Sequence, residues 1–223
     1  MRTLILSCPT LEGEMNNFLQ KYNSPAEVRY LPARLHSDMQ DIRPLLQKII
    51  DENKTFERIV ILLSGCGGST AGLVASTAEL VIPKTHDCID ILLSDENGKV
   101  AKRDPMGIYM TGSWYEYHMQ TLLNADRQIA ELGYEKAAEK LRGIFKTFNQ
   151  FYIIDTGVFD VEKVKSGLVS LLKILDGTLT IFPGKCGILE KVAREEITSD
   201  CFYITPKGGV TGKMAFRLEE GIG

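Results

Sequence analysis

The run Ile59-Val60-Ile61-Leu62-Leu63 has no polar position, and it leads directly into Ser64-Gly65-Cys66-Gly67-Gly68. A strand without a polar face must be covered on both sides, which is the place of a central strand in a parallel sheet flanked by helices. Similar short runs recur along the chain. Thr3-Leu4-Ile5-Leu6-Ser7, Val28-Arg29-Tyr30-Leu31, Leu80-Val81-Ile82 and residues 151–154, 178–182 and 201–205 all read as strands. Between them lie helical patterns. Thr10 opens one that carries Met15, Phe18, Leu19 and Tyr22. Ser37 with Gln40 opens a second, carrying Ile42, Leu45, Leu46, Ile49 and Ile50. Asp160 opens another, carrying Leu168, Leu171, Leu172 and Leu175 and stopped by Gly177.

Shorter helices are expected over residues 71–78 and 188–196, and residues 89–93 fit either a helix start or a strand. Residues 104–112, rich in glycine and proline, read as irregular. Ser113 with Glu116 then opens helices running to about Asn149, with a break near Gly133. The expected fold class is α/β, as two open, mostly parallel-sheet, Rossmann-like lobes joined by a helical segment. Its boundaries fall at residues 1–100 for the first lobe, 101–150 for the loop and helical connector, and 151–223 for the second lobe.

A net charge of −3 gives no reason to expect nucleic acid or an anionic membrane as partner. No run approaches the roughly 20 apolar residues of a membrane span. Met1-Arg2-Thr3 leads straight into a strand with no signal-peptide cleavage pattern, so a cytoplasmic protein is expected. Its five cysteines are then free thiols, metal ligands or redox groups.

Four of those cysteines stand at or just past strand ends. Cys8 follows the first run, Cys66 lies in the glycine turn, and Cys88 follows the fourth run. Cys186 lies in Pro183-Gly184-Lys185-Cys186-Gly187, after the 178–182 strand. Ligands of open α/β sheets bind beyond the carboxyl ends of the strands, where such thiols can converge on one metal or one substrate. Cys201, in the last strand, reads as core.

His86 and Cys88 are two apart, so in an extended segment they point the same way and can share a metal, with Asp87 turned away. Cys186 or Cys66 would supply a third ligand; the competing reading is a turn histidine with its hydrogen bonds satisfied beside a buried cysteine. Thiolate with imidazole suits zinc and leaves an open coordination position. The H-x-C with a distant cysteine is also similar to the zinc motif of thiol-alkylating methyltransferases. In the glycine turn, Gly65, Gly67, Gly68 and Ser69 permit close approach of a ligand, and the following helix start offers N–H groups to an anion. A Cys66 thiol in that setting would be reactive or metal-binding. The competing reading is a tight turn with a buried cysteine. Trp114 and Tyr109, in an aromatic segment with Tyr115, Tyr117 and His118, are either core or the wall of a pocket. Asp155 ends a strand before Thr156-Gly157 and serves as a cap or as a carboxylate supporting the site. The segment from Lys207 to Lys213 reads first as a hairpin or surface turn, with an anion contact by Lys207 or Lys213 as the alternative.

The Cys8 strand end, Ser64-Gly65-Cys66-Gly67, the run from Leu80 to Ile89, the run from Pro105 to Trp114, and Asp155-Thr156-Gly157 together resemble a known family. It is the domain of unknown function 1638 family, found in methanogenic archaea and anaerobic bacteria, often beside genes for corrinoid-dependent methyltransferases. The resemblance spans most of the chain, and Val81-Ile82-Pro83 with His86-Asp87-Cys88 is its most specific part. The family's Pro-Gly-Thr-Tyr-Tyr pattern reads here Pro105-Met106-Gly107-Ile108-Tyr109, with one residue added. The resemblance implies a setting, anaerobic one-carbon metabolism, and no particular reaction.

The leading expectation is a metal- or cofactor-binding protein of corrinoid-linked methyl transfer. Cys8, Cys66, His86, Cys88 and Cys186 form its ligand set, for zinc or an iron–sulfur cluster. Its partner would be a small-molecule ligand, a corrinoid or a corrinoid protein. If it is an enzyme, its chemistry is methyl transfer or metal-dependent thiol chemistry. A metal-free two-lobe protein for a small anionic or corrinoid ligand is one alternative. A redox or nucleophilic thiol enzyme acting through Cys66, with Asp155 as a second catalytic group, is another.

Overall fold

The computed structural model describes residues 1–32, 42–121 and 123–212. The chain divides into two compact units, one of residues 1–101 with 185–223 and one of residues 102–184. Both are α/β with Rossmann-like, mostly parallel sheets. The division differs from the contiguous lobes expected from the sequence. Residues 102–150 are not a connector but belong to the second unit, and the chain returns to the first unit for its last elements.

In the first unit, β1 (Thr3–Ser7), β2 (Glu27–Tyr30), β3 (Arg58–Leu62), β4 (Glu79–Pro83) and β8 (Phe202–Thr205) form one sheet in the order β2-β1-β3-β4-β8. β1 through β4 are parallel, and β8 runs antiparallel beside β4. Every residue of β1 is buried, and so is β3 after its first residue, as expected of strands covered on both faces. β2, at the edge, alternates between exposed and half-buried positions. α2 (Ile42–Glu52) lays Ile42, Leu46 and Ile50 in one buried stripe at a spacing of four. That stripe packs against Leu4, Leu6, Ile59, Ile61, Leu80 and Ile82, the every-second residues of one sheet face. Full burial of each such side chain is worth roughly 1.5–3 kcal/mol. α1 (Glu12–Lys21) and α3 (Cys88–Leu93) both pack against α8 (Gly187–Ala193).

Two local expectations change in this unit. Thr10 does not cap α1. It lies in a 3-10 turn, Pro9–Leu11, and the helix starts after it. Residues 71–78 are not helical, because their backbone groups and hydroxyls have partners far along the chain. Ala75 N–H donates to Gly209 O, Gly72 N–H to Thr211 O, and the Thr77 hydroxyl to Ile50 O. Val74 bridges antiparallel to Val210. The Ser37–Gln40 capping box and Lys213 lie outside the described residues.

The second unit is a three-stranded parallel sheet of β5 (Gly107–Met110), β6 (Gln150–Asp155) and β7 (Thr178–Pro183), in the order β5-β6-β7. Its helices are α4 (Gly112–Met119), α5 (Ala125–Leu132), α6 (Tyr134–Phe145) and α7 (Val161–Leu175). Phe151, Ile153 and Met110 meet Leu141, Phe145, Leu168 and Leu171 in its core. β5 occupies the segment read as irregular. Its glycine is required, because a Cβ on Gly107 would stand 2.6 Å from the Tyr152 ring, where Tyr109 and Tyr152 stack at 4.7 Å. α4 is capped by Thr111, whose hydroxyl accepts from Trp114 N–H, rather than by Ser113; Glu116 instead pairs with Lys163 at 2.6 Å.

The break at Gly133 falls where expected, between α5 and α6. Asp160 caps α7, its carboxylate accepting from the N–H groups of Glu162 at 2.9 Å and Lys163 at 3.2 Å. Asp160→Ala therefore lowers stability by about 1 kcal/mol, measurable as a shift of the urea midpoint at unchanged m-value. At the other end of α7, the left-handed residue is Asp176 (φ 49°), one before Gly177.

Candidate functional site

The order β2-β1-β3-β4 places the reversal of strand order between β1 and β3. The loops leaving β1, β3 and β4 therefore border the crevice where such sheets take ligands. Each of these loops delivers a cysteine. Cys8 lies one residue past β1, and its sulfur stands 2.9 Å from the Thr10 hydroxyl. Cys66 opens a 3-10 turn past β3. Cys88 is the first residue of α3, past β4.

The loops after β3 and β4 are stitched together. Gly65 N–H donates to His86 O at 3.0 Å, and the hydroxyls of Ser64 and Thr85 meet at 2.5 Å. The start of α3 is capped reciprocally. Asp87 accepts from Asp90 N–H, and the buried Asp90 carboxylate accepts from His86 N–H, both at 3.0 Å.

The three thiols act on one another. Hydrogen bonding to Cys8 and burial raise the Cys88 thiol well above its ordinary value, and the neighbouring Cys8 and Cys66 add to this. The Thr10 hydroxyl opposes the shift. Burial pushes Cys66 up to about 12, helped by Cys8 and Asp87 and opposed by the backbone N–H groups of Cys88 and Cys66 itself. Cys66 and Cys88 are therefore neutral thiols at pH 7 in the absence of a cation. Thr10, which connects Cys8 and Cys88, is the residue that sequence reasoning missed as part of the site. The only local signal was a hydroxyl two residues after a cysteine.

Two members of the expected ligand set are elsewhere. His86 is exposed while Cys88 is buried. The same-side argument fails because the segment is not extended through Cys88: α3 begins there and turns that side chain inward. Cys186 lies at the start of α8 in a left-handed conformation (φ 55°), where its N–H and that of Lys185 donate to Leu92 O. That is near the carboxyl end of α3, whereas Cys88 opens the same helix four residues, or about 6 Å, away by helical rise. Burial, then Glu14 and Glu190, push the Cys186 thiol up to about 12. Among the described residues, no group of three or more His, Cys, Asp or Glu side chains stands ready to hold a metal ion.

The glycine turn offers an anion less than its composition suggests. The N–H groups of Gly65, Cys66, Gly68 and Ser69 are spent on His86, Leu63, Gly65 and Cys66 carbonyls. Gly67 sits mid-turn between them. Gly68 has φ +68° with nothing within 4 Å of a Cβ, so its glycine serves backbone conformation and not a close neighbour. The Ser69 hydroxyl is buried without a hydrogen-bond partner among the described residues.

The other candidates belong to the second unit. Asp155, exposed at the end of β6, accepts from Gly157 N–H at 3.0 Å and closes a turn. Tyr109 is buried, and its hydroxyl accepts from Asp104 N–H at 2.8 Å. Trp114 is half-buried against Tyr117 and His118 along α4.

The fold and these loops define an α/β protein with a buried thiol cluster at the strand-order reversal of its larger sheet. A model of the family described as "Protein of unknown function (DUF1638)" matches residues 30–193, and the chain belongs to that family. The match takes in Cys66 and Cys88 and starts after Cys8. No curated protein and no solved structure matches the chain. No helix among the described residues is long and apolar enough to cross a membrane.

Proposed function

We propose that this chain is a cofactor-binding protein whose cargo is a soft metal ion or a metal-bearing cofactor such as a corrinoid. Cys8, Cys66 and Cys88 take the cargo at the carboxyl ends of β1, β3 and β4. The observation that carries this reading is the delivery of three mutually interacting thiols by three neighbouring parallel strands, beside the strand-order reversal. Thiol-rich donors select soft metals over magnesium or calcium. The fit is not to a preformed four-donor zinc site, since no such group is assembled among the described residues. It is to a cargo that draws the thiols together or brings further ligands of its own. The unpartnered Ser69 hydroxyl in the adjoining turn is consistent with a polar contact from that cargo. The proposed setting is the one-carbon metabolism of anaerobes that the family resemblance implies. Nucleophilic catalysis by Cys66 loses support, because its thiol is held far above neutral pH.

The test is element analysis of protein purified without oxygen and after reconstitution with zinc, iron or cobalamin. Near-stoichiometric loading that is abolished in Cys8→Ser and Cys88→Ser variants is expected. Loading should strengthen with pH, by up to about tenfold per pH unit for each thiol that ionises on binding, because protons compete for the thiolates. Less than about a tenth of an equivalent under all these conditions would overturn the proposal.

A further inference from the structure

Thr10 follows Cys8 by two residues, inside the 3-10 turn Pro9–Leu11, and both side chains are buried. The Thr10 hydroxyl stands 2.9 Å from the Cys8 sulfur. The local backbone holds that contact in place. Ser7 O accepts from Leu31 N–H at 2.9 Å, which ties the end of β1 to the residue after β2. Pro9 opens the turn with its φ already set. Cys8 O then accepts from Leu11 N–H at 3.1 Å, and Pro9 O from Glu12 N–H. The β-branch of Thr10 narrows its choice of rotamer within this closed turn. A neutral sulfur is a weak partner for a buried hydroxyl, because it accepts poorly and its S–H donates weakly. The contact is worth more once the sulfur is a thiolate, since a hydrogen bond to an ion is roughly twice as strong as one between neutral groups. Its direction is then fixed too. Between the neutral groups either atom can donate. A thiolate has no proton, so the bond must run from the Thr10 O–H to the sulfur. The same hydroxyl opposes the rise of the neighbouring Cys88 thiol, as a donor does.

We propose that Thr10 is a positioning residue for the cargo: its hydroxyl donates to the Cys8 sulfur when that sulfur binds the metal, fixing the sulfur at the end of β1 and stabilising its lone pair. The proposal rests on the cargo reading above. Thr10 does not touch the cargo and acts through Cys8 alone. Hydrogen bonds to ligand sulfurs are one of the means by which a protein tunes a thiolate-bound metal. Losing such an outer partner typically costs 10–100-fold in metal affinity.

The experiment compares the full-length wild type with Thr10→Val and Thr10→Ser, all reduced and kept free of oxygen. Valine keeps the β-branch and the shape of threonine without the hydroxyl, and serine keeps the hydroxyl. Raman scattering first records the S–H stretching bands of the metal-free proteins, with the Cys8 band identified by its absence from Cys8→Ser. Thr10→Val is expected to move that band to higher frequency, and Thr10→Ser to leave it in place. Cobalt(II) is then titrated into each protein. Wild type and Thr10→Ser are expected to share one sulfur-to-cobalt charge-transfer band and one affinity. Thr10→Val is expected to bind about 10–100-fold more weakly. Its charge-transfer band should lie at longer wavelength, because no donor stabilises the sulfur lone pair. A merely structural role for Thr10 would weaken binding and leave both bands where they are. Either band unmoved in Thr10→Val overturns the proposal, and so does a Thr10→Ser variant that behaves as Thr10→Val does. A wild type that takes up no cobalt(II) also overturns it. The cargo reading itself falls only if zinc, iron and cobalamin are refused as well.

Discussion

In the reduced, cargo-free protein, iodoacetamide labels Cys66 about fortyfold more slowly at pH 7 than it labels a free thiol. Two opposing effects set that figure. Moving the thiol from an ordinary value of 9.0 to about 12 lowers the thiolate fraction about a thousandfold. A more basic thiolate is a better nucleophile, and a Brønsted slope of roughly 0.45 over three units returns only about twenty- to twenty-fivefold. The loss of thiolate wins. Cys66 is still the first of the five to react, because the other four are buried while it is partly exposed. The logarithm of its labelling rate climbs with unit slope to about pH 12, whereas a free thiol levels off near pH 9. Labelling of Cys66 at the free-thiol rate at pH 7 would show that its burial is wrongly assigned and would revive the nucleophile reading.

The same shift has a consequence for stability, with a definite sign. The folded pKa is raised, so the unfolded chain ionises first as pH rises. The contribution of the neutral thiol is intact below about pH 9 and is lost progressively as pH climbs toward 12. Cys186, pushed up to about 12 by burial and two carboxylates, adds to the trend in the same window.

Gly187→Ala, the second large effect, lowers stability by about 2–3 kcal/mol and the melting temperature by roughly 5–10 °C. Helix propensity alone argues the other way, since alanine is favoured over glycine by about 1 kcal/mol inside a helix. The collision outweighs it. A Cβ at Gly187 would run into the Asp95 carbonyl and stand 2.7 Å from Glu96 N. That backbone has little freedom to retreat. Asp95 O accepts from Gly98 N–H, Asp95 N–H donates to Lys99 O, and Gly187 N–H itself donates to Ser94 O at 2.7 Å. Gly143→Ala in α6 is the control. Nothing lies within 4 Å of its Cβ, so propensity is unopposed and a gain of up to about 1 kcal/mol is expected. Equal effects of the two substitutions on melting temperature would refute the packing argument.

Much of the local structure was legible because it rests on neighbours in sequence. The Ile59–Leu62 run of β3 has no polar face and is a buried central strand. Asp160 and Gly133 punctuate helices by local hydrogen bonding and backbone conformation, and both do so where expected. β5 was not legible. Pro105 and Gly107 give its segment the composition of a loop, and only the parallel ladder to β6 makes it a strand. Residues 71–78 have a helical composition, but backbone hydrogen bonds to residues 209 and 211 claim them first.

The site divides along the same line. Sequence alone determined that Cys8, Cys66 and Cys88 would stand past strand ends, because an apolar run followed by a turn is a local pattern. Only the tertiary structure decided which of them meet. Strand order put the loops of β1, β3 and β4 around one crevice. A helix beginning at Cys88 parted it from His86, and the docking of α8 against the far end of α3 took Cys186 away. The physical reason is that periodicity records which face of an element is buried, while the choice of neighbour depends on packing between residues some twenty to ninety positions apart. For the same reason the return of β8 to the edge of the first sheet, antiparallel to β4, left no mark in the sequence of either strand.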